Sequence, residues 1–427
     1  MPTPSIIPLG STPKPGAIPD SMYAAVIRPE RYGPPQQAFQ IEEVAVPSFG
    51  PDQVLVYVMA AGINYNNIWA GLGKPLDVVA ARRSRGDKSE FHIGGSEASG
   101  IVWAVGKNVK SVAVGQRYRQ TILASGGQRQ PVIVSGCRWD ERAEDIRMGA
   151  DPMTSVTQRV WGYEDNHGSF AQFTAVDEYQ CHVKPDTLSW EDAASLLCAA
   201  TAYRMMRGWP PHQVSPGDPV LIWGGAGGIG TMAIQIARLF GARPVAVVSD
   251  KSKSSFCMEL GAQGVIDRSE FSHWGRLSSD PKDARQWSSE AKRFGAKFWE
   301  ALGERRNPKL VIEHPGEATL PTSIFLCDNA GMIVICGGTS GFYGDVDLRY
   351  LWMRQKRLQG SHFANRPQVA AVIHLAGTGR INPCVTEVAP FYEIGGLHQR
   401  MFENKNARGN LSVLVNAPAR GQHNYPS

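Results

Sequence analysis

Apolar and polar residues alternate over short spans in the first part of the chain. Residues 22–60 contain the runs MYAAVI, EEVAVP and QVLVYVMAAG, with proline and glycine between them, and residues 93–120 continue the pattern. Short alternating runs bounded by turn residues are typical of strands with one buried face. The pattern therefore predicts a compact antiparallel β-domain.

The pattern changes after residue 218, where short apolar runs alternate with helical segments. The candidate strands are 219–223, 244–248, 264–267, 309–313, 331–336 and 357–360. Strands that are separated by helices in this way predict a doubly wound parallel sheet. Residues 270–306 are charged and contain tryptophan, and they predict helical surface between two of these strands.

Three further segments set the predicted domain limits. Residues 1–21 are rich in proline and glycine and predict a loose tail, and the irregular residues 120–160 predict a long insertion or lid. The terminal strand LSVLV indicates that residues 363–427 rejoin the first domain. We therefore predict a first, β-rich domain at 22–210, completed by 363–427, and a second domain with a parallel sheet at 211–362.

Residues 221–253 place a glycine-rich turn between a strand and a helix, and a second strand follows the helix. This order around G-x-G-x-x-G is that of a dinucleotide-binding unit. Gly225 is assigned to the tight turn, Gly227 to the approach of a pyrophosphate, and Gly230 to helix–strand packing. The N–H groups at the start of the helix suit phosphate. The cofactor-binding residues predicted from the motif are Gly225, Gly227, Gly228, Ile229 and Gly230.

The end of the second strand bears on which nicotinamide cofactor is bound. NAD enzymes usually place an acidic residue there to bond the ribose 2′-OH. Ser249 occupies this position, with Lys251 and Lys253 just beyond it. A small hydroxyl beside cations suits a 2′-phosphate, so Ser249 and Lys253 are predicted to bind NADPH. Asp250 leaves two alternatives open: it turns inward to bind a 2′-OH, or the whole segment is a solvated turn.

Composition excludes several classes of function. The chain has 427 residues, 42% of them hydrophobic, and a net charge of +5 whose basic residues are scattered. This distribution argues against nucleic acid as a partner and is compatible with an anionic ligand. No apolar run is long enough to predict a membrane span, and the N-terminus does not resemble a signal peptide. Seven dispersed cysteines without a C-x-x-C pair predict a reducing, cytoplasmic location.

The order of β-domain, dinucleotide unit and returning strand resembles the medium-chain dehydrogenase/reductase superfamily. The resemblance implies a GroES-like catalytic domain and an inserted Rossmann domain with a doubly wound parallel sheet. Zinc-dependent members hold their metal with a cysteine and a histidine, and these positions are Asn64 and Ser96 here. The cysteine cluster of the structural zinc lobe is also absent from the sequence, so we predict no metal.

Several segments resemble one branch of the superfamily, the crotonyl-CoA carboxylase/reductases. They are NYNNIW (64–69), WGYEDN (161–166), TAYR (201–204), EHPG (313–316), TSG (339–341), RYLWM (349–353) and GSHFAN (360–365). The resemblance implies that NADPH reduces a 2-enoyl-CoA and that the resulting enolate takes up CO2, giving an alkylmalonyl-CoA. It also implies a homotetramer built from two dimers, or a homodimer.

The same resemblance implies which residues form the CO2 pocket. By motif they are Asn66, Tyr163, Glu164 and His362. Asn66 is expected to donate to a CO2 oxygen, and Glu164 and His362 to hold a water that bonds the other oxygen. Tyr163 departs from the family's phenylalanine, and its hydroxyl either joins this network or offers a proton to the enolate.

Residues near the end of the predicted sheet are weaker candidates. Thr339 and Ser340 are expected to line the nicotinamide end of the site. Arg349 and Tyr350 are expected to bind the phosphates or ribose of CoA, although Arg349 equally suits a salt bridge between subunits. Taken singly, each candidate also has a structural interpretation, as a helix cap, a surface charge or a packing side chain.

Two other functions compete with the reductive carboxylase. The first is a zinc-free, NADPH-dependent enoyl-thioester or quinone reductase that protonates its enolate, and Tyr163 is its main support. The second is a non-catalytic NADPH-binding protein. The intact glycine motif together with the pocket residues argues against that interpretation.

Overall fold

The computed structural model describes residues 5–13, 18–109, 130–405 and 408–425. The chain divides into two compact units. The first contains Met1–Leu197, Asn365–Gly379 and Val385–Ser427, and the second contains Cys198–Ala364 and Arg380–Cys384. In the described ranges, no helix is long and apolar enough to cross a membrane.

The strands of the described residues occur along the whole chain. They are β1 (Ser21–Ile27), β2 (Gln40–Ala45), β3 (Gln53–Ile63), β4 (His92–Ile93), β5 (Ala98–Val105), β6 (Pro131–Val134), β7 (Cys137–Arg138), β8 (Arg159–Val160), β9 (Phe173–Asp177), β10 (Cys181–Val183), β11 (Pro219–Ile222), β12 (Arg243–Val248), β13 (Gly264–Asp267), β14 (Leu310–Glu313), β15 (Met332–Ile335), β16 (Arg357–Gly360), β17 (Val385–Pro390) and β18 (Asn410–Leu414).

Among the residues that the structure describes, the α-helices are concentrated after residue 190. They are α1 (Pro35–Ala38), α2 (Tyr65–Leu72), α3 (Val78–Arg83), α4 (Glu144–Arg147), α5 (Trp190–Ala193), α6 (Leu197–Arg207), α7 (Gly228–Leu239), α8 (Ser254–Glu259), α9 (Pro281–Leu302), α10 (Leu320–Leu326), α11 (Leu348–Trp352), α12 (Arg366–Gly377) and α13 (Ile394–Phe402).

The first unit is built on a mostly antiparallel sheet of order β10-β6-β5-β3-β18-β17, with β9 also paired to β3. Strand β3 is buried along almost its whole length, which its apolar sequence QVLVYVMAAGI explains. The C-terminal strand β18 pairs with β3 in the register Leu411↔Ile63 to Leu414↔Ala60. The predicted return of the chain's end to the first β-domain is therefore confirmed.

Two segments of the first unit differ from the sequence expectation. The predicted insertion at 120–160 includes β6, which pairs with both β5 and β10 and buries Val132 completely. Residues 120–129 of that segment lie outside the described residues. In the predicted tail, Ile7 is only 3% exposed, and the hydroxyl of Tyr57 donates to the carbonyl of Ser11 at 2.8 Å. Residues 5–13 are thus packed rather than loose, because Ile7 joins the core of the unit and Leu9 packs against it.

The second unit contains a parallel sheet of order β13-β12-β11-β14-β15-β16. This is the strand order of a dinucleotide-binding fold, with the first strand at the centre and the order reversing beside it. All six candidate strands are confirmed to within one residue at each end. The observed pairing confirms the predicted parallel sheet. The prediction was possible because the strands of a parallel sheet are covered by helices on both faces and are therefore short apolar runs.

The charged segment 270–306 forms the long helix α9. Asp280 caps its first turn, and Gly303 ends it in the left-handed conformation with φ 76°. The segment is not only surface, because Phe294, Phe298 and Leu302 are completely buried in the core of the unit. These three side chains recur at helical spacing, which explains how a charged helix has one buried face.

Candidate active site

The glycine-rich turn connects β11 to α7 in the second unit. Gly224 has the left-handed φ of 58°, and a Cβ there would collide with the ring of His314. The motif assigned the tight turn to Gly225, but the structure makes this turn at Gly224. Gly225 is needed for another reason, since its Cβ would lie 2.6 Å from that of Ala246 on the next strand.

The start of helix α7 is arranged to receive an anion. Gly230 packs against the turn, where a Cβ would lie 2.6 Å from the Cα of Gly225. Gly227 is the N-cap, and a Cβ there would meet only the carbonyl of Gly224, at 3.4 Å. The space in front of the helix is thus open, while the first N–H groups of the helix have no acceptor within it. Gly228, Ile229 and Gly230 supply these groups, which fit a pyrophosphate.

The end of β12 carries the residues that predict cofactor choice. Ser249 follows the last strand residue, and Lys253 Nζ donates to its hydroxyl at 3.3 Å. The Asp250 carboxylate accepts from the N–H of Ser252 at 2.8 Å and caps a short 3-10 turn over Lys251–Lys253. The structure therefore gives Asp250 a capping role and leaves a hydroxyl and an ammonium group together at the strand end.

Glu313 and His314 lie behind the glycine-rich turn at the end of β14. The Glu313 carboxylate is completely buried and accepts from Thr319 Oγ1 at 2.7 Å and Ser323 Oγ at 2.6 Å. Desolvation raises the pKa of Glu313 to about 7, and desolvation lowers that of His314 to about 4. With its ring against Gly224, His314 supports the turn, and Glu313 holds the start of α10.

The segment after β15 is joined to the loop after β14. Ser340 Oγ donates to the carbonyl of Pro315 at 2.7 Å and accepts from the N–H of Ala318 at 3.0 Å. The N–H of Thr339 donates to the carbonyl of His314 at 3.2 Å. Thr339 and Ser340 thus lie at the carboxyl edge of the parallel sheet, the edge where such folds bind cofactors.

Arg349 and Tyr350 occupy helix α11 and make contacts of different kinds. Arg349 forms a two-pronged ion pair with Asp347, with Nε–Oδ1 3.0 Å and Nη2–Oδ2 2.7 Å, and its side chain is 73% exposed. The ring of Tyr350 packs edge-on against Phe325, with 5.1 Å between the ring centroids. The exposed guanidinium can be reached by an anion, whereas the tyrosine ring contributes to packing.

His362 follows the edge strand β16 at the same carboxyl edge. The N–H of Ser361 extends the parallel pairing by donating to Ile335 O at 2.8 Å, and the His362 ring meets that of Phe363 edge-on at 4.8 Å. Desolvation, followed by the positive charge of Arg204, lowers the pKa of His362. The imidazole is therefore neutral at pH 7.

Two asparagines after β3 face two residues that precede β5 in the first unit. Asn66 Nδ2 donates to Ser96 Oγ at 2.8 Å, and Asn64 Nδ2 donates to Glu97 Oε1 at 2.6 Å. Asn64 and Ser96 occupy the positions that the resemblance assigned to zinc ligands. In the described ranges, no group of three or more His, Cys, Asp or Glu residues is placed to hold a metal ion.

Glu97 is a residue of this site that sequence reasoning did not single out. Its side chain is buried, and Oε2 accepts from the N–H of Leu197, the first residue of α6, at 2.8 Å. Desolvation raises its pKa to about 7 even though the hydrogen bonds from Asn64 and Leu197 oppose the shift. In the sequence, Glu97 is marked only by its place at the end of GGSE. That place does not indicate that its carboxyl group is buried.

Tyr163 and Glu164 lie in a tight turn after β8. The N–H of Glu164 donates to the carbonyl of Val160 at 2.9 Å, and Glu164 Oε2 accepts from the N–H of Val160 at 2.9 Å. Desolvation, followed by the charge of Glu164, raises the pKa of Tyr163 to about 12. The turn thus holds both backbone and carboxylate of Glu164 in place.

This turn packs directly on the loop that carries Ser96. Gly162 has φ 69°, and a Cβ there would lie 2.6 Å from the carbonyl carbon of Gly95. The N–H of Ser169 also donates to Gly95 O at 3.0 Å. Asn66, Tyr163 and Glu164 therefore lie on adjoining segments of the first unit, whereas His362 belongs to the second unit with the cofactor-binding residues.

Two family models match the chain. The alcohol dehydrogenase GroES-like domain matches residues 50–186, and the zinc-binding dehydrogenase model matches residues 228–377. Together with the parallel sheet, they confirm the predicted fold class of a GroES-like domain and a Rossmann-type domain.

One curated relative decides the branch. The chain is 46% identical to the crotonyl-CoA carboxylase/reductase of Cereibacter sphaeroides, over 98% of this chain and 93% of that protein. The chain belongs to the crotonyl-CoA carboxylase/reductase family. The resemblance drawn from the sequence motifs is confirmed.

Solved structures of crotonyl-CoA carboxylase/reductases are similar to this chain over almost its whole length. The complex of crotonyl-CoA carboxylase/reductase AntE with NADP has a TM-score of 0.90 and 56% identity, and it covers 98% of this chain and 100% of AntE. The 2-octenoyl-CoA carboxylase reductase CinF, in complex with NADP and 2-octenoyl-CoA, has a TM-score of 0.83 and 32% identity, covering 95% of this chain and 90% of CinF.

Proposed function

We propose that the protein uses NADPH and CO2 to convert a 2-enoyl-CoA, such as crotonyl-CoA or a longer-chain analogue, into an alkylmalonyl-CoA such as ethylmalonyl-CoA. The observation that carries this proposal is similarity to a carboxylase/reductase along the whole chain, at 56% identity and a TM-score of 0.90. Both parts of the reaction are thereby covered, because the similarity includes the cofactor unit and the unit with Asn66 and Glu164.

The second unit fits NADPH. The pyrophosphate is received by the open N-terminus of α7, from Gly227 to Gly230, and the 2′-phosphate by Ser249 and Lys253. When bound, NADPH supplies the hydride that adds to the β-carbon of the enoyl thioester. The resulting enolate is nucleophilic at its α-carbon, so the protein's task is to hold CO2 there and to keep proton donors away.

Asn66 is oriented for binding CO2. Its amide nitrogen has two N–H groups, and one of them is bonded to Ser96 Oγ at 2.8 Å. The second N–H donates to a CO2 oxygen, and this bond strengthens as negative charge develops on the new carboxylate. Asn67 Nδ2 donates to Asn66 Oδ1 at 3.2 Å and so fixes which edge of the amide carries the N–H groups.

As the resemblance implies, Glu164 and His362 are each assigned to hold a water molecule that bonds the other CO2 oxygen. Glu164 Oε2 is held by the N–H of Val160, which leaves Oε1 to accept from this water. A neutral His362 offers one donor and one acceptor, and it has no surplus proton to give to the enolate. These two roles, like those of the remaining site residues, stay predictions.

The alternative function is an enoyl-thioester or quinone reductase that protonates the enolate, and it depends on Tyr163. The raised pKa of Tyr163, about 12, makes this phenol a poorer general acid than an ordinary tyrosine. The environment of Tyr163 therefore favours carboxylation over quenching by this residue.

We further propose enoyl-CoA as the bound substrate and a homodimer or homotetramer as the assembly. Leu348, Trp352 and Met353 are each more than 60% exposed on or beside α11. In the described part of the chain, the neighbouring edge strand β16 pairs only with β15. An apolar surface next to an open sheet edge suits pairing with a second copy. The cytoplasmic location and the domain limits at 21, 210 and 362 also stay predictions.

The test is NADPH oxidation with crotonyl-CoA, in the presence and absence of bicarbonate and carbonic anhydrase, followed by mass analysis of the acyl-CoA. A CO2-dependent product that is heavier by one carboxylate supports the proposal. Saturated butyryl-CoA under both conditions would instead establish the reductase. Binding of NADPH without turnover of crotonyl-CoA or longer enoyl-CoAs would support the non-catalytic interpretation.

A further inference from the structure

The segment 161–166, which carries Tyr163 and Glu164, is bordered on one side by a polar cleft. The cleft has a volume of about 360 Å³, and its lining includes Arg85, Arg138 and Asp165. A segment that borders a water-accessible cleft is not held by apolar packing on that side. Its position there depends on hydrogen bonds and ion pairs.

Arg85 makes such a contact with the backbone of Glu164 itself. Its Nη2 donates to the carbonyl oxygen of Glu164 at 2.6 Å, and the same nitrogen lies 3.9 Å from Asp165 Oδ1. One guanidinium therefore holds two consecutive residues of the segment. A hydrogen bond from a charged donor to a carbonyl is stronger than one from a neutral donor.

Both partners of this contact are anchored. Arg85 follows α3, whose Arg82 is buried, pairs with Asp87 and donates to Phe91 O at 2.7 Å. On the other side, Arg138 Nη1 lies 3.3 Å from Asp165 Oδ2, and its Nε lies 3.0 Å from Asp177 Oδ2 at the end of β9. The series Arg85–Asp165–Arg138–Asp177 thus joins the segment to β7 and β9.

We infer that Arg85, acting with Asp165, is a positioning residue for the carboxylation half of the reaction. It holds the backbone of Glu164 in position within the CO2 pocket and does not itself touch substrate. This inference rests on the proposed function. Because geometric errors of about 1 Å can cost on the order of a hundredfold in rate, loss of this contact should lower CO2 capture more than reduction.

The test compares Arg85→Ala with Arg142→Ala. Arg142 is a matched control in the same unit, because it also forms one ion pair, with Asp52 at 3.5 Å, and its side chain is 83% exposed. The ratio of carboxylated to saturated product, the KM for CO2, the KM for crotonyl-CoA and the rate of NADPH oxidation are measured for each variant. Asp165→Asn provides a second variant, which weakens the ion pairs of Asp165 with Arg85 and Arg138 but keeps the Arg85 donor to the Glu164 carbonyl. Arg85→Lys retains the charge without the planar guanidinium.

We expect Arg85→Ala to lower the product ratio by about tenfold and to raise the KM for CO2, with NADPH oxidation changed less than twofold. Asp165→Asn should act in the same direction, and Arg85→Lys should restore part of the ratio. An unchanged ratio in both Arg85→Ala and Asp165→Asn would overturn the inference. So would an equal fall in carboxylation and reduction. Absence of carboxylated product from the unaltered protein would refute the proposed function instead.

Discussion

Asn66 Nδ2 donates a hydrogen bond to Ser96 Oγ, with 2.8 Å between the two atoms. Ser96 is completely buried and stands where the resemblance places a zinc-binding histidine in metal-dependent relatives. The residue pair thus orients an amide donor at a place where zinc enzymes polarise their substrate with a metal. The loop that carries Ser96 can in this way orient an N–H donor toward a substrate, where metal-dependent relatives use it to bind zinc.

Removing the Ser96 hydroxyl should therefore change the fraction of carboxylated product more than it changes the stability of the protein. We expect Ser96→Ala to lower the carboxylated fraction several-fold, because the amide of Asn66 loses the acceptor that fixes its orientation. The stability cost of one lost buried hydrogen bond is about 1 kcal/mol. Ser412→Ala is the control, since this buried hydroxyl donates to Ala61 O at 3.0 Å elsewhere in the unit. An equal product ratio in both variants would refute the role of Ser96.

The glycine-rich turn predicts a strong effect of one methyl group. In Gly230→Ala the new Cβ would lie 2.6 Å from the Cα of Gly225, so the start of α7 must move away from the turn. We expect a weakening of NADPH binding by at least about tenfold, measured by quenching of tryptophan fluorescence. Gly396→Ala is the control, because a Cβ at this helical glycine meets nothing within 4 Å. Equal NADPH affinity in the two variants would contradict the account of the turn.

Cofactor preference is predicted to depend on the end of β12. A carboxylate in Ser249→Asp would repel a 2′-phosphate and could accept from a ribose 2′-OH. We expect the ratio of kcat/KM for NADPH to that for NADH to fall by about tenfold or more. Ser215→Asp adds the same charge at an exposed position before the amino end of β11, at the opposite edge of the sheet, and should leave the ratio unchanged. No change with Ser249→Asp would mean that the 2′ position of the cofactor lies elsewhere.

The raised pKa of Glu97 predicts a pH dependence of stability. A folded-state pKa of about 7, against an ordinary value of 4.5, means that the folded state binds this proton more tightly than the unfolded state. The stabilisation is complete below pH 4.5 and is lost as the pH rises to about 7, a change of about 3 kcal/mol.

Glu97→Gln removes this titration, so the free energy of unfolding of the unaltered protein should fall relative to that of the variant between pH 5 and pH 8. Urea titrations at the two pH values measure the difference, and Glu300→Gln, at an exposed carboxylate, serves as the control. Any cost of the glutamine amide that does not depend on pH cancels in the comparison. Parallel pH profiles for the protein and Glu97→Gln would show that Glu97 is ionised throughout.

The second unit was predictable from sequence because its strands are short apolar runs separated by helices. The position of the tight turn was not, since G-x-G-x-x-G gives the spacing but not which glycine takes the positive φ. Gly224 takes it, and the ring of His314, which follows the distant strand β14, leaves no space for a side chain there. Strand β6 was hidden for a similar reason, as a four-residue apolar run next to charged and glycine-rich residues does not show that it pairs with β5.

For the candidate site, the sequence predicts only the residues that lie within recognisable motifs. NYNNIW and WGYEDN name Asn66, Tyr163 and Glu164 as candidates, which stay predictions, but they do not indicate the residues that hold these side chains. Glu97 and Arg85 were missed because their partners, Leu197 and Glu164, are 100 and 79 positions away in sequence. Contacts over such separations are set by tertiary structure, and a single sequence contains no local signal for them.

The most direct test of the central claim follows two isotopes into one product. Crotonyl-CoA is converted with NADPH carrying deuterium at its transferable position and with 13C-bicarbonate and carbonic anhydrase, and the product is analysed by fragmentation in a mass spectrometer. The account predicts one molecule of ethylmalonyl-CoA with deuterium at the β-carbon and a 13C-carboxylate on the α-carbon for each NADPH oxidised. Deuterated butyryl-CoA without 13C, at saturating CO2, would contradict it.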